Sequence, residues 1–388
     1  MEALPSSSEL LRVLEERFWM FLQSGRHVEA HAALTRSLSI LDAHEDPALR
    51  RRTLAGAVLL EMDTTGDVEA SLAIARRASE AAIPEPDPVA DLMIAASVTD
   101  VLLRVPSSAV RAGELGAEAL RSGAAWGLEH TFPAVLVRGN VCWAHLREGN
   151  TRAAREWVEP VTRAAPVVNS VYAHVMLAAV EMREGNLAAA RERLRSADAQ
   201  VRNHDQSWAE CLPWIAEVEL WGGRANEAVE LLAGWLEPRL TTETAGQAAP
   251  LLVLLARGRA DLVDASTPDL ARGHAVGREL RDIAARASVD PFGADVGDPA
   301  RPAMSVSWQA ELSRVEGAGT VQTWVRAAAA WDDMARPHDA AYCRWRAAQC
   351  ALLEGQGSIA ARLLTRASTD AHQHVPLHEA IAATARGA

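Results

Sequence analysis

Apolar residues recur at intervals of three and four along most of the chain, as in Leu187, Ala190, Leu194 and Ala197. This spacing places them on one face of an α-helix. Runs of β-branched residues are rare, and the chain contains only two tyrosines and four phenylalanines, which further favours helix over sheet. The pattern predicts an all-α protein built from amphipathic helices.

A short turn recurs, with an alanine five residues after each turn glycine and usually a small residue seven residues before it. The glycine–alanine pairs are Gly25 and Ala30, Gly149 and Ala154, Gly185 and Ala190, Gly223 and Ala228, and Gly355 and Ala360. A sixth copy pairs Gly66 with Ser71, and the first copy departs from the pattern with Phe18 in the small position. Glycine can end a helix in the left-handed conformation, and small residues let two helices cross closely. Each copy therefore predicts a helical hairpin, and such hairpins must stack to bury their apolar faces.

This spacing resembles the tetratricopeptide repeat, which implies an α-solenoid of stacked antiparallel helix pairs. We predict about nine pairs, beginning near Glu9, Pro47, Asp87, Thr131, Val168, Ser207, Thr242, Met304 and Pro337. A last helix, from Pro376 to Arg386, is predicted to cap the stack. Three segments are predicted: an N-terminal solenoid (1–240), weakly repetitive helices with a Pro/Gly/Asp-rich loop (241–303), and C-terminal pairs with the capping helix (304–388).

Charge and composition narrow the possible partners. The formal net charge is −12, and all 39 basic residues are arginines interspersed with Asp and Glu. This distribution argues against direct nucleic-acid binding, which usually needs a basic stripe. The chain shows neither a signal peptide nor a long apolar run, which predicts a cytoplasmic protein without a membrane span. Its cysteines, Cys142, Cys211, Cys343 and Cys350, form no CxxC pair and are predicted to be free thiols.

The usual catalytic motifs are absent from the sequence. Without lysine there is no GxxxxGK[ST] loop, and GxGxxG, GxSxG and HExxH do not occur. We therefore predict a non-enzyme with no catalytic residues, no cofactor and no metal. His27 and His31, and likewise His374 and His378, lie one helical turn apart, but a structural metal site normally needs four ligands. We interpret these histidines as solvent-facing. The alternative hypothesis, an enzyme with a metal or thiol site, is supported only by these histidines and by Cys343.

In tetratricopeptide arrays the first helix of each pair lines a concave groove that holds the ligand. Aromatic residues and arginine are typical of binding hot spots. The resemblance therefore implies a groove formed by Trp19, Trp143, Arg147, Tyr172, Arg183, Glu210, Glu217, Trp221, Tyr342 and Trp345. The alternative for each tryptophan is a place in the core, which we predict for Trp324 and Trp331.

From Gln322 onward the chain resembles the end of the repeat region in large ATP-binding LuxR-type transcriptional regulators related to the maltose activator. The matching residues are Trp324, Trp331, Arg336, Pro337, Ala340, Ala341, Tyr342, Arg344, Trp345 and Arg346. This resemblance implies an effector-sensing region that binds a protein, a peptide or a small molecule, without the family's ATPase and DNA-binding modules in this chain. The alternative is a free-standing scaffold that joins proteins or forms a homo-oligomer.

Overall fold

The computed structural model contains only helices, turns and loops within the residues that it describes. These residues are 7–23, 26–43, 46–163, 170–201, 205–241, 245–267, 269–287, 289–293 and 299–387. The predicted all-α fold is confirmed. No helix in this part of the chain is both long enough and apolar enough to cross a bilayer.

Nineteen α-helices in the described residues form nine antiparallel pairs and a final single helix. The first helices of the pairs are α1 (Ser7–Gln23), α3 (Pro47–Thr65), α5 (Pro88–Arg104), α7 (Phe132–Arg147), α9 (Val171–Arg183), α11 (Asp205–Trp221), α13 (Ala245–Asp264), α15 (Arg301–Val315) and α17 (Pro337–Leu353). The second helices are α2 (His27–Ala43), α4 (Val68–Glu80), α6 (Ala109–Ala124), α8 (Thr151–Val158), α10 (Leu187–Val201), α12 (Ala225–Arg239), α14 (Leu270–Ala285), α16 (Val321–Asp333) and α18 (Gly357–Asp370). The predicted capping helix is α19 (Val375–Gly387). The predicted number of pairs is therefore confirmed, whereas the division into segments 1–240, 241–303 and 304–388 stays a prediction.

The first helices form the inner layer of the solenoid. Most neighbouring first helices pack against one another, from α3 through α15, whereas the second helices pack mainly against first helices. Burial follows the same division: twelve of the thirteen residues of α9 are buried, but only three residues of α4. Several polar and charged side chains on first helices, including His174, Glu181 and Arg183, are therefore held inside the molecule.

The repeated small residues lie where the sequence predicts them. Gly66, Gly149, Gly185, Gly223 and Gly355 all adopt positive φ, from 68° to 85°, at the turns inside their pairs. The residues five positions later are all buried against the first helix: Ser71, Ala154, Ala190, Ala228 and Ala360. Gly25 lies outside the described residues.

The first pair departs from the pattern, and its neighbour compensates for it. Phe18 occupies the position that is small in most other copies, and it is buried. Gly56 on α3 faces it, and a Cβ at that glycine would lie 2.3 Å from Phe18 Cε1. The small residue needed for close helix packing is therefore supplied by the next pair.

Ala335, between α16 and α17, adopts a φ of 54°, the left-handed conformation that glycine adopts at Gly355 with a φ of 70°. This conformation strains residues that have a Cβ. We expect Ala335→Gly to raise the free energy of unfolding by about 0.5–1 kcal/mol and Gly355→Ala to lower it similarly. Urea unfolding of the two variants measures both changes; a less stable Ala335→Gly protein would contradict the prediction.

The solenoid turns back on itself, so that its C-terminal end contacts the fourth and fifth pairs. Thr151 Oγ1 donates to the carbonyl of Gln373 at 2.8 Å, and the backbone N–H of Arg152 donates to Gln373 Oε1 at 3.0 Å. Because Gly149 has no side chain, His338 can pack closely against it. The His338 Nε2 would lie only 3.1 Å from a Cβ at that position. We name this interface the closure contact. It joins elements far apart in sequence and encloses the space between the inner helices.

Candidate functional site

A cavity of about 80 Å³ lies between the inner helices α9, α11, α13, α15 and α17, the second helix α16 and the start of α19. Its wall combines aromatic rings with charged and imidazole groups. The aromatic residues are Trp221, Trp324, Trp331 and Tyr342, and the others include Arg183, Glu217, Arg257, Glu311, His338, Asp339 and His374. We name this space the central cavity.

Trp221, the last residue of α11, is the centre of an aromatic cluster. Its ring stacks on Trp345 at 6.5 Å and meets Tyr342 and His374 edge-on at 6.4 and 5.2 Å. Such ring pairs add stabilisation beyond their buried area. The cluster holds the end of α11 against α17 and the C-terminal cap.

The Arg257 guanidinium lies between two of these rings. Its Cζ is 4.3 Å from the Trp221 ring centroid and 4.6 Å from that of Tyr342, and the residue is only 7% exposed. Cations in such positions are attracted to the faces of aromatic rings. Both rings therefore fix the position of the Arg257 side chain at the cavity wall.

A chain of ion pairs joins α13, α15 and α17 beside the cavity. Arg314 contacts Glu311 at 3.0 Å and Asp261 at 2.5 Å, and Arg346 contacts Asp261 at 3.0 Å. The Tyr342 hydroxyl donates to Glu311 at 2.6 Å. Burial alone would raise the pKa of Asp261, but the guanidinium groups of Arg314, Arg257 and Arg346 hold that pKa below its usual range. The Asp261 carboxylate is therefore ionised at neutral pH, and it is already paired with Arg314 and Arg346.

His338 links the cavity to the closure contact. Its Nε2 lies 2.8 Å from the carbonyl oxygen of His372, and its Nδ1 lies 3.0 Å from Arg183 Nη1. Because the carbonyl can only accept and arginine can only donate, the proton is on Nε2 and Nδ1 accepts. Burial, and then the charge of Arg183, lower the pKa of His338 to about 3.

His374 is also buried, with its ring centroid 5.1 Å from that of His338. Burial lowers the pKa of His374 well below its usual value. The prediction of a solvent-facing histidine is therefore wrong at this position, whereas His31 and His378 are exposed. Sequence spacing cannot show that the solenoid closes over the turn before α19.

Four of the ten predicted groove residues line the central cavity: Arg183, Glu217, Trp221 and Tyr342. Trp345 packs directly behind it, and Arg346 stacks over the Trp345 ring at 4.2 Å. These residues come from α9, α11 and α17, so the inner layer brings together positions from separate repeats.

Two further predicted residues lie earlier on the inner layer. The Arg147 guanidinium lies over the Trp143 ring at 4.8 Å. Trp143 in turn meets Trp214 of α11 edge-on at 6.5 Å. This cluster is separate from the central cavity.

The remaining predicted residues lie elsewhere. Trp19 packs against Phe18 in the first pair, with ring centroids 5.4 Å apart. Tyr172 contacts Asn140 Oδ1 at 3.2 Å and fills the space beside Gly139, so it packs between α7 and α9. The side chain of Glu210 lies outside the described residues.

Arg257, Glu311 and His338 also line the cavity but are not among the predicted groove residues. The repeat spacing predicts groove positions only where a repeat is recognisable, and Arg257 lies in the weakly repetitive stretch 241–303. The 3.6-residue period of α13 could have identified it as an inner-face residue, one turn before Asp261. Trp324 and Trp331 were predicted for the core and are buried there, and both also contribute to the cavity wall.

Metal and thiol chemistry find little support in the geometry. Among the described residues, no group of three or more His, Cys, Asp and Glu side chains is placed to hold a metal ion. Burial, and then Asp339 and Glu311, raise the pKa of the Cys343 thiol well above its usual value. The thiol form therefore predominates at neutral pH, and this form is a poor nucleophile.

Comparison with known proteins identifies a similar fold but does not assign the chain to a protein family. No protein-family model matches the chain, and no curated protein matches it. A solved structure of a Rap protein complexed with competence and sporulation factor is similar, with a TM-score of 0.66 at 11% sequence identity. The alignment covers 97% of this chain and 99% of that one. The chain thus has the fold of a tetratricopeptide-like α-solenoid over almost its whole length.

Proposed function

We propose that this chain is a helical-repeat module that binds a protein or peptide effector on its inner layer. The central cavity carries the proposal, because it combines aromatic rings and charged groups from five inner helices and α16 with an arginine, Arg257, that forms no ion pair with another described residue. Aromatic and arginine side chains dominate binding hot spots. The similar Rap structure was solved with a bound factor, which agrees with a binding role for this fold.

We further propose that the module is the effector-sensing region of a LuxR-type regulator. This part rests on the sequence resemblance of α16 to α18, including Trp331, Pro337 and Trp345. A sensor must bind its ligand more tightly in one conformation than in another. The closure contact supplies an interface that a ligand could stabilise or open. Coding regions for an ATPase and a helix-turn-helix beside this one would support the regulator role, and their absence would contradict it.

A thermal-shift screen against extended peptides and small effectors tests the binding role, because a ligand selective for the native state raises the melting temperature. For a peptide that extends along the inner layer, we expect Trp143→Ala to weaken binding at least tenfold. Trp126→Ala is the matched control, since Trp126 is 58% exposed in the turn after α6. If neither peptides nor small effectors bind, the scaffold alternative is favoured instead.

A further inference from the structure

Arg257 has no carboxylate partner among the described residues, although its side chain is buried. The residue is 7% exposed, and its Nε has no hydrogen-bond partner. Its guanidinium packs over the rings of Trp221 and Tyr342 and forms no ion pair with another described residue. Arginine stays protonated in proteins, and a buried charge without hydrogen bonds is costly. The cavity wall therefore presents hydrogen-bond donors that the folded chain does not use.

Three of the nearby carboxylates are already bound by other arginines. Asp261, one turn further along α13, contacts Arg314 at 2.5 Å. Glu311 contacts the same arginine at 3.0 Å, and Asp339 contacts Arg336 at 3.0 Å. Asp261, Glu311 and Asp339 therefore each have an arginine partner other than Arg257.

Two guanidinium groups at the cavity, Arg183 and Arg257, form no ion pair with another described residue. Glu217 forms no ion pair with another described residue, and it faces two guanidinium groups, Arg183 and Arg257. Arg183 donates to the carbonyl of Leu146 and to His338, which are both neutral acceptors. A ligand carboxylate could accept the hydrogen bonds that Arg257 does not form with the described residues.

We propose that the central cavity binds a carboxylate group of the effector, with Arg257 as its bidentate partner. This inference rests on the proposed binding function and names the chemistry that the cavity selects. The planar guanidinium matches a carboxylate with two parallel hydrogen bonds, and the flanking rings hold it in place. A volume of about 80 Å³ accommodates a group of a few heavy atoms, such as the end of a peptide or one short side chain.

Acetate and its neutral analogue acetamide test the proposal on the wild-type protein. At constant ionic strength, we expect acetate to raise the melting temperature saturably and acetamide to leave it unchanged. Arg257→Met should abolish the acetate shift, and Arg257→Lys should weaken the apparent affinity about tenfold, because lysine lacks the fork. Circular dichroism confirms that each variant is folded.

Arg259→Met is the matched control on the same helix. Arg259 contacts Glu279 at 2.5 Å and does not line the cavity, so this variant should keep the full acetate response. An equal response to acetate and acetamide, or an acetate response that persists in Arg257→Met, would overturn the proposal. Binding of peptides without any acetate effect would overturn it while leaving the proposed function intact.

Two further probes distinguish the sources of the carboxylate. Acetyl-trialanine carries only a C-terminal carboxylate, and its amide carries none. N-acetyl-aspartamide, the α-amide of N-acetyl-aspartate, carries only a side-chain carboxylate. A larger shift with acetyl-trialanine than with its amide supports a peptide C-terminus as the source, and a shift with N-acetyl-aspartamide supports an acidic side chain. A shift with neither, in a protein that responds to acetate, supports a small organic acid.

Discussion

Replacing Trp324 by alanine is expected to lower the free energy of unfolding by about 3–5 kcal/mol, the range for buried aromatic residues. Trp324 on α16 is 1% exposed, and its ring meets Tyr342 edge-on at 6.1 Å. Its removal leaves a void between the eighth and ninth pairs, where the residues around it cannot all move inward. Urea unfolding followed by far-UV circular dichroism measures the loss.

The exposed Trp126 provides the control for this loss. Trp126→Ala removes the same side chain from the surface and should change stability by less than about 0.5 kcal/mol. Because repeats contact mainly their neighbours, Trp324→Ala should also destabilise the C-terminal pairs first, and hydrogen exchange can detect this. A loss below about 1 kcal/mol would contradict the assigned packing.

Acidification from pH 7 to pH 5 should cost the wild-type protein about 2 kcal/mol more than the His338→Gln variant. The folded-state pKa of His338 is lowered to about 3, while an unfolded chain binds this proton near pH 6.5. The stabilising contribution of the neutral ring is therefore complete above pH 6.5 and is lost progressively as the pH falls toward 3. Urea unfolding of both proteins at several pH values measures the difference.

The surroundings of His338 explain why a proton is disfavoured there. Arg183 on α9 faces its Nδ1, His374 packs against its ring, and Asp339 next to it on α17 contributes a smaller opposing effect. Glutamine can keep the bond to the His372 carbonyl without titrating in this range. His31→Gln, at an exposed site on α2, should keep the wild-type pH dependence. Equal pH dependence in the wild-type and His338→Gln proteins would contradict the assigned role.

Local interactions explain why the helix pairs could be predicted. A turn glycine such as Gly185 and the alanine five residues later, Ala190, act within one hairpin. The left-handed turn residue and the small residue at the helix crossing lie only a few positions apart. Their spacing can therefore be recognised in a single sequence. The same spacing located part of the inner layer, including Glu217 and Tyr342, because a helix face follows from its period.

The site depended on contacts that no local pattern encodes. Arg183 and His338 are 155 positions apart, and Thr151 and Gln373 are 222 positions apart. Which charges are paired, and which are left unpaired as at Arg257, depends on how far each pair rotates relative to the last. The sequence by itself determined the helix pairs and the residue types on their inner faces. Only the tertiary structure decided the closure of the solenoid and the unpaired arginine, because small rotations between pairs accumulate along the stack.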